Sequence, residues 1–300
     1  MSLNIRTFVR FALIALCVQF GSRAFAGSAT NVTGLYYTGT NSSGGLAAGG
    51  ATDANWKVTY ALVNGATYTG TSTYTGSAYV LSSSYIDAAY TPNTSSAQWI
   101  TAPGASTAQT GGTTNIGGDY LPGNGTQGTN SAYYVYRLAF TVSGTGGGTV
   151  TNNIQISMTI AADDSYAVYV NPASSPTVNS SGVISAGGTN SSASGTSAWN
   201  NTTSFALGNS TSGGGVNNSS FVIGTNYIYV VVANTNSQTG TNGSNALNPS
   251  GLLVYQVGSG VTIDGKVIPE VGSYLPVVAA LGIFGWRRLR RRGTDAPSVG

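Results

Sequence analysis

The 300-residue chain contains no histidine, and its single cysteine is Cys17, close to the N-terminus. Without histidine the usual general base and the commonest transition-metal ligand are missing, and a Ser-His-Asp relay is excluded. Without a cysteine beyond Cys17 the rest of the chain has no disulfide, no thiolate metal site and no sulfur nucleophile. Charge is scarce too, with Asp, Glu, Lys and Arg making up 6% of residues. The formal net charge of +3 belongs to the two ends, where Arg6, Arg10, Arg23, Arg287, Arg288, Arg290, Arg291 and Arg292 lie. Between Gly27 and Glu270 only Lys57, Arg137 and Lys266 are basic. They stand against Asp53, Asp87, Asp119, Asp163, Asp164, Asp264 and Glu270, a formal net charge of −4. That balance leaves no basic patch for a phosphate backbone and excludes a nucleic-acid partner. So few carboxylates also argue against a glycosidase, which needs two of them flanking the bond it cleaves.

What is abundant is glycine, serine, threonine and asparagine, with eighteen tyrosines as the main aromatic. Disordered chains usually combine high charge with few aromatics, the opposite of this pattern. The composition therefore predicts ordered strands joined by polar loops. Ile154, Ile156, Met158 and Ile160 alternate with Gln155, Ser157 and Thr159, a period of two that places the apolar set on one face of a sheet. Residues 133–142 and 227–233 are dense in β-branched and aromatic side chains, as buried strands are. Residues 56–62, 78–81, 166–170 and 252–257 complete the predicted strands. No amphipathic helix is predicted between the two ends. The long Gly/Ser/Thr/Asn stretches at 104–130 and 179–204 read as loops. The expected fold is all-β, an antiparallel β-sandwich of jelly-roll type with long loops.

The ends read as addresses. Arg6 and Arg10 precede the apolar run 11–20, and Ala24-Phe25-Ala26 offers the small-x-small pattern that signal peptidase cuts, before Gly27. Leu16 is too large for a lipobox, so lipidation of Cys17 is not expected. At the other end Pro269-Glu270 precedes an apolar stretch, 271–286, and then the arginine cluster 287–292. Arginines beside an apolar span stay on the cytoplasmic side. Pro276 and three glycines make this span poor and short, as suits a temporary anchor.

This three-part C-terminus resembles the PEP-CTERM sorting signal, although Val271 stands where the second proline belongs. The resemblance implies a Gram-negative, exopolysaccharide-producing bacterium and an exosortase-type processing enzyme. A second likeness runs through residues 50–257. It is carried by Asp53-Ala54-Asn55-Trp56-Lys57-Val58, Ala78-Tyr79-Val80, Asn93 to Ile100 (NTSSAQWI) and Tyr136-Arg137-Leu138-Ala139-Phe140. Downstream it continues through Ala161 to Asn171 (AADDSYAVYVN) and Asn248 to Val254 (NPSGLLV). Their order resembles a galactose-binding-like β-sandwich, which implies a surface or matrix protein in contact with polysaccharide and no known catalytic activity. The expected organisation is a signal peptide (1–26), a Gly/Ser/Thr-rich segment (27–49), the sandwich (50–264) and the sorting signal (265–300).

Few residues offer chemistry. Asp163-Asp164, between two predicted strands, can hold Ca²⁺ with Asn171 and backbone oxygens. Alternatively, Asp163 caps its own turn while Asp164 is solvated. No other cofactor is expected. Trp56 and Trp99 read as core. Trp199, in a polar stretch, is the candidate for stacking on a glycan, and Tyr36, Tyr37, Tyr68 and Tyr74 read as a solvated face. The expected function is non-enzymatic: an exported surface protein associated with matrix or exopolysaccharide, anchored briefly in the inner membrane. The alternative is a fibre or coat built by self-association of uncharged strand edges; a carbohydrate-active hydrolase ranks third.

Overall fold

The computed structural model describes residues 27–63, 66–70, 74–81, 83, 86, 90–103, 132–179, 183–186, 190–193, 199–208, 216–217, 221–234, 250–255 and 260–268. The first strands are β1 (Ser28–Thr33), β2 (Thr52–Val63), β3 (Ala66–Thr69), β4 (Gly76–Val80), β5 (Ile100–Thr101), β6 (Ala132–Thr145), β7 (Ile154–Ala162) and β8 (Ser165–Val170). There follow β9 (Thr177–Val178), β10 (Ile184–Ser185), β11 (Asn190–Ala193), β12 (Thr203–Gly208), β13 (Val216–Asn217), β14 (Gly224–Asn234), β15 (Leu252–Tyr255), β16 (Val261–Ile263) and β17 (Lys266–Ile268). All-β architecture is thus observed, with no helix element among the described residues. Nor is any helix there long and apolar enough to cross a membrane. The cleavage pattern at Ala24 and Ala26, the motif Pro269-Glu270, the span 271–286 and the arginine cluster lie outside the described residues.

Fifteen strands form one sheet whose path runs β11-β8-β14-β6-β2-β4-β5-β15-β7-β12-β13. Every pairing is antiparallel except that of β12 with β13. The period of two explains how this path becomes two layers. In β7 the set Ile154, Ile156, Met158 and Ile160 is buried, as its alternation predicts. Those residues share one cluster with Tyr134, Tyr136, Leu138 and Phe140 of β6 and with Ile228, Val230 and Val232 of β14. The inward faces of the two halves of the path therefore pack on each other, the arrangement of a β-sandwich. Each fully buried Leu, Ile or Val in that cluster contributes about 1.5–3 kcal/mol of transfer free energy.

Two smaller clusters cover the outer faces. Tyr60, Leu62, Val135, Tyr169, Tyr229 and Val231 point outward from β2, β6, β8 and β14 and are capped by Val178 and Ile184 of the separate β9–β10 hairpin. On the other layer Leu81, Ala97, Trp99, Ala161 and Leu253 pack together with Tyr90 and Trp199 alongside.

Two expected boundaries shift. β1 pairs with β6 from Ser28↔Thr145 to Thr33↔Thr141, with Ala29 and Val32 buried in the main core. The 27–49 segment is therefore part of the sheet and its flanking loop, not a separate lead-in. At the far end β16 and β17 form a hairpin across Asp264-Gly265, both at positive φ (51° and 74°), so the fold continues past residue 264. Asp-Gly is the dipeptide that such a two-residue turn favours. The tyrosines expected on a solvated face are also placed differently. Tyr74 is buried and edge-on to Tyr68, while Tyr36 and Tyr68 pack partly buried against the main core and Tyr37 against the outer cluster. Threonine and glycine neighbours hid these contacts, of which the Tyr68–Tyr74 pair is local and the packing on the core clusters is not.

Candidate functional site

Asp163 and Asp164 occupy the two-residue connection between β7 and β8. Two neighbouring strands hold its backbone: Asp163 N donates to Gly251 O at 3.1 Å, before β15, and Asp164 N to Ala233 O at 2.8 Å, in β14. The side chains diverge in environment. Asp163 is 2% exposed, and its Oδ2 accepts the Tyr90 hydroxyl at 2.5 Å, whereas Asp164 is half-buried. A hydroxyl donor of this kind replaces the water that the buried carboxyl gives up.

Tyr90 links the carboxylate to an aromatic group. Its ring lies tilted against Trp199 at 4.8 Å between centroids and edge-on to Trp99 at 5.6 Å. Trp99 Nε1 donates to Thr91 O at 2.7 Å, and Thr91 N donates to Trp199 O at 3.0 Å, so Thr91 ties the Trp99 indole to the Trp199 backbone. A Cβ on Gly251 would stand 2.9 Å from Trp99 Cε3, so the indole rests on a position that tolerates no side chain. Next to it Ser250 Oγ is buried without a hydrogen-bond partner among the described residues. Trp99 is fully buried, as expected of a core residue, and Trp199 is half-buried with one face turned to Tyr90. A half-exposed indole on Tyr90, whose hydroxyl reaches the buried Asp163, is an amphipathic surface. It suits a sugar, whose apolar face packs on a ring while its hydroxyls donate to oxygen acceptors.

The expected calcium set does not assemble. Asn171 closes the opposite end of β8, seven residues beyond Asp164, or roughly 20 Å away at strand rise. There its Nδ2 donates to Asn226 Oδ1 at 2.7 Å and its Oδ1 accepts Tyr227 N at 2.7 Å, at a φ of 41°. Asn171 is thus a strand-end cap, and the three residues cannot share one ion. No group of three or more His, Cys, Asp or Glu converges among the described residues. Calcium takes six to eight oxygens, and this turn brings two carboxylates, one of them already bonded to Tyr90.

The other deeply buried acid is structural. Asp53 Oδ1 accepts from Asn55 N at 2.7 Å and Trp56 N at 2.8 Å, and Oδ2 from Gly39 N at 2.7 Å. Burial pushes its carboxyl above the ordinary value, and the N–H groups of Trp56, Asn55 and Gly39 pull back against that rise. Gln98 supports the same loop through Gly39 O and Ala47 O, and Trp56 Nε1 donates to Tyr36 O. Gly27, expected as the first mature residue, is held by Thr149 O and Thr151 N. Sequence reasoning located the Asp163-Asp164 turn but not Tyr90, Ser250 or Gly251. Tyr90 lies 73 positions from Asp163, and no local pattern marks it. No family model, curated protein or solved structure matches this chain.

Proposed function

We propose that the chain is a non-enzymatic, exported surface protein of the extracellular matrix, built on a galactose-binding-like jelly-roll sandwich and associated with exopolysaccharide. It is sorted through its C-terminus by signal peptidase and then an exosortase-type enzyme, after brief anchoring in the inner membrane. The observation that carries the glycan reading is the end of the sandwich where Trp199 and Tyr90 stand beside the Asp163-Asp164 turn. An amphipathic shelf beside carboxylates is chemistry for holding a neutral sugar. The fate of the acids supports a binding role: Asp53 is bonded to three peptide N–H groups, and Asp264 binds Asn152 Nδ2 and Asn153 N. No bound cofactor is required.

The experiment is retention of the secreted protein on the matrix polysaccharide of its own cells, with light scattering of the same sample. A monomer retained on glycan, and released when Trp199 is replaced by alanine, agrees with the proposal. Filaments indifferent to glycan would transfer the chain to the self-assembling class. That second reading is favoured by the β17 edge, paired among the described residues only with β16 and carrying Val267 at 54% exposure. Turnover of a glycan, abolished by replacing Asp163 or Asp164, would make it a hydrolase.

A further inference from the structure

The described region between the two ends holds three cations, and the fold places two of them side by side. Lys57 of β2 and Arg137 of β6 are direct cross-strand partners although they lie 80 positions apart in sequence. Arg137 is in turn opposite Tyr229 of β14, and Tyr229 is opposite Tyr169 of β8. Lys57, Arg137, Tyr229 and Tyr169 thus form one row across four strands. The inward positions flanking this row, Trp56, Val58, Tyr136, Leu138, Ile228 and Val230, all belong to the main core. The row therefore lies on the outer face, where Tyr229 and Tyr169 are buried under the β9–β10 hairpin and the Lys57–Arg137 end is the open part. Lys57 is exposed, Arg137 and Tyr227 are half-buried, and the guanidinium carbon stands 5.2 Å over the Tyr227 ring.

Like charges directly opposite each other destabilise a sheet, and the usual remedy is an acid on a neighbouring strand. Here none is supplied by the described acids. Asp53 binds peptide N–H groups, Asp163 and Asp164 sit at the β7–β8 turn, and Asp264 is bonded to Asn152 and Asn153. Two neighbouring cations on a region of formal charge −4 make a local anion site that the sequence spacing conceals.

We infer that this face binds a carboxylated polysaccharide. The Arg137 fork matches a carboxylate, and its stacking on Tyr227 fixes the plane in which that fork is offered. Lys57 provides a point charge beside it. Two cations are too few for a nucleic-acid backbone, and an anionic membrane is recruited by clusters of several. A uronate-bearing chain, which carries repeated carboxylates, fits the Lys57–Arg137 pair. Only the choice of polymer rests on the matrix reading above; the patch itself lies apart from the Trp199 end of the sandwich.

The test uses the full-length chain in non-ionic detergent, titrated with polygalacturonate, neutral dextran and phosphatidylglycerol vesicles. The expected result is salt-sensitive binding to polygalacturonate, measured in the W199A background so that the Trp199 end does not contribute, and not to dextran. K57Q/R137Q should weaken it by about tenfold or more, the loss of one good contact or two, with unchanged melting temperature. R137K, which keeps the charge but loses the fork and the stack, should fall between. Unchanged affinity in the double variant overturns the inference, as does equal binding to dextran. Vesicles bound as tightly as polygalacturonate also overturn it, making this a membrane-facing surface. Release from matrix by W199A with polygalacturonate binding intact would separate the fate of this patch from that of the Trp199 site.

Discussion

Asp53 carries a buried carboxyl that peptide N–H groups, rather than a cation, hold in place. Its raised folded-state value means that the native chain keeps a proton where the unfolded chain has lost it. The stability this group contributes is therefore full below the ordinary carboxylate value and falls as pH rises through the folded one. D53N should remove that slope and also cost about 1–3 kcal/mol, because an amide nitrogen would meet a peptide N–H. Melting curves of wild type and D53N between about pH 4 and pH 7 check both parts. Tyr90 makes the same argument at the candidate site. Y90F leaves the buried Asp163 short of a hydroxyl donor and should cost about 1–3 kcal/mol in chemical denaturation. A neutral result would mean that the hydroxyl does not hold this carboxylate.

The strands differ in how plainly the sequence announces them. β7, β6 and β14 were readable because Ile154 to Ile160 alternate cleanly and because YYVYRLAF and YIYVVV leave no other way to bury so many branched and aromatic side chains. β1 was not, since Ser28-Ala29-Thr30-Asn31-Val32-Thr33 is small and polar, and only pairing with β6 makes it a strand. β12 was likewise partly hidden, its Thr203 and Ser204 falling in what reads as a long loop. The Asp163-Asp164 turn was legible as a break between two apolar runs. Its partners were not, because Tyr90, Trp99 and Gly251 come from elements distant in sequence, as do Lys57 and Arg137. Val32 offers a direct check on β1. V32D places a charge in the main core and should destabilise the fold by at least about 2 kcal/mol, the lost burial alone. If residues 27–49 were a detached lead-in, the substitution would leave the denaturation midpoint unchanged.

At the level of the molecule, three hydrophobic clusters and a dense set of backbone hydrogen bonds hold a chain that has no disulfide to draw on beyond Cys17. The separation of Asn171 from the aspartate pair means that these three residues do not build one calcium site. Chelation with EDTA should leave the melting temperature unchanged, whereas a fall of several degrees, reversed by Ca²⁺, would place an ion at the Asp163-Asp164 turn. The β16–β17 hairpin ends at Ile268, directly before Pro269-Glu270, so the proposed sorting motif follows the last paired strand with no intervening linker. A protease acting there would leave every described strand in place. Mass spectrometry of the C-terminal peptide of the surface-located protein tests this account most directly. The expected mature chain ends near Pro269-Glu270, with Arg287, Arg288, Arg290, Arg291 and Arg292 gone. An intact arginine tail on the surface protein would contradict it.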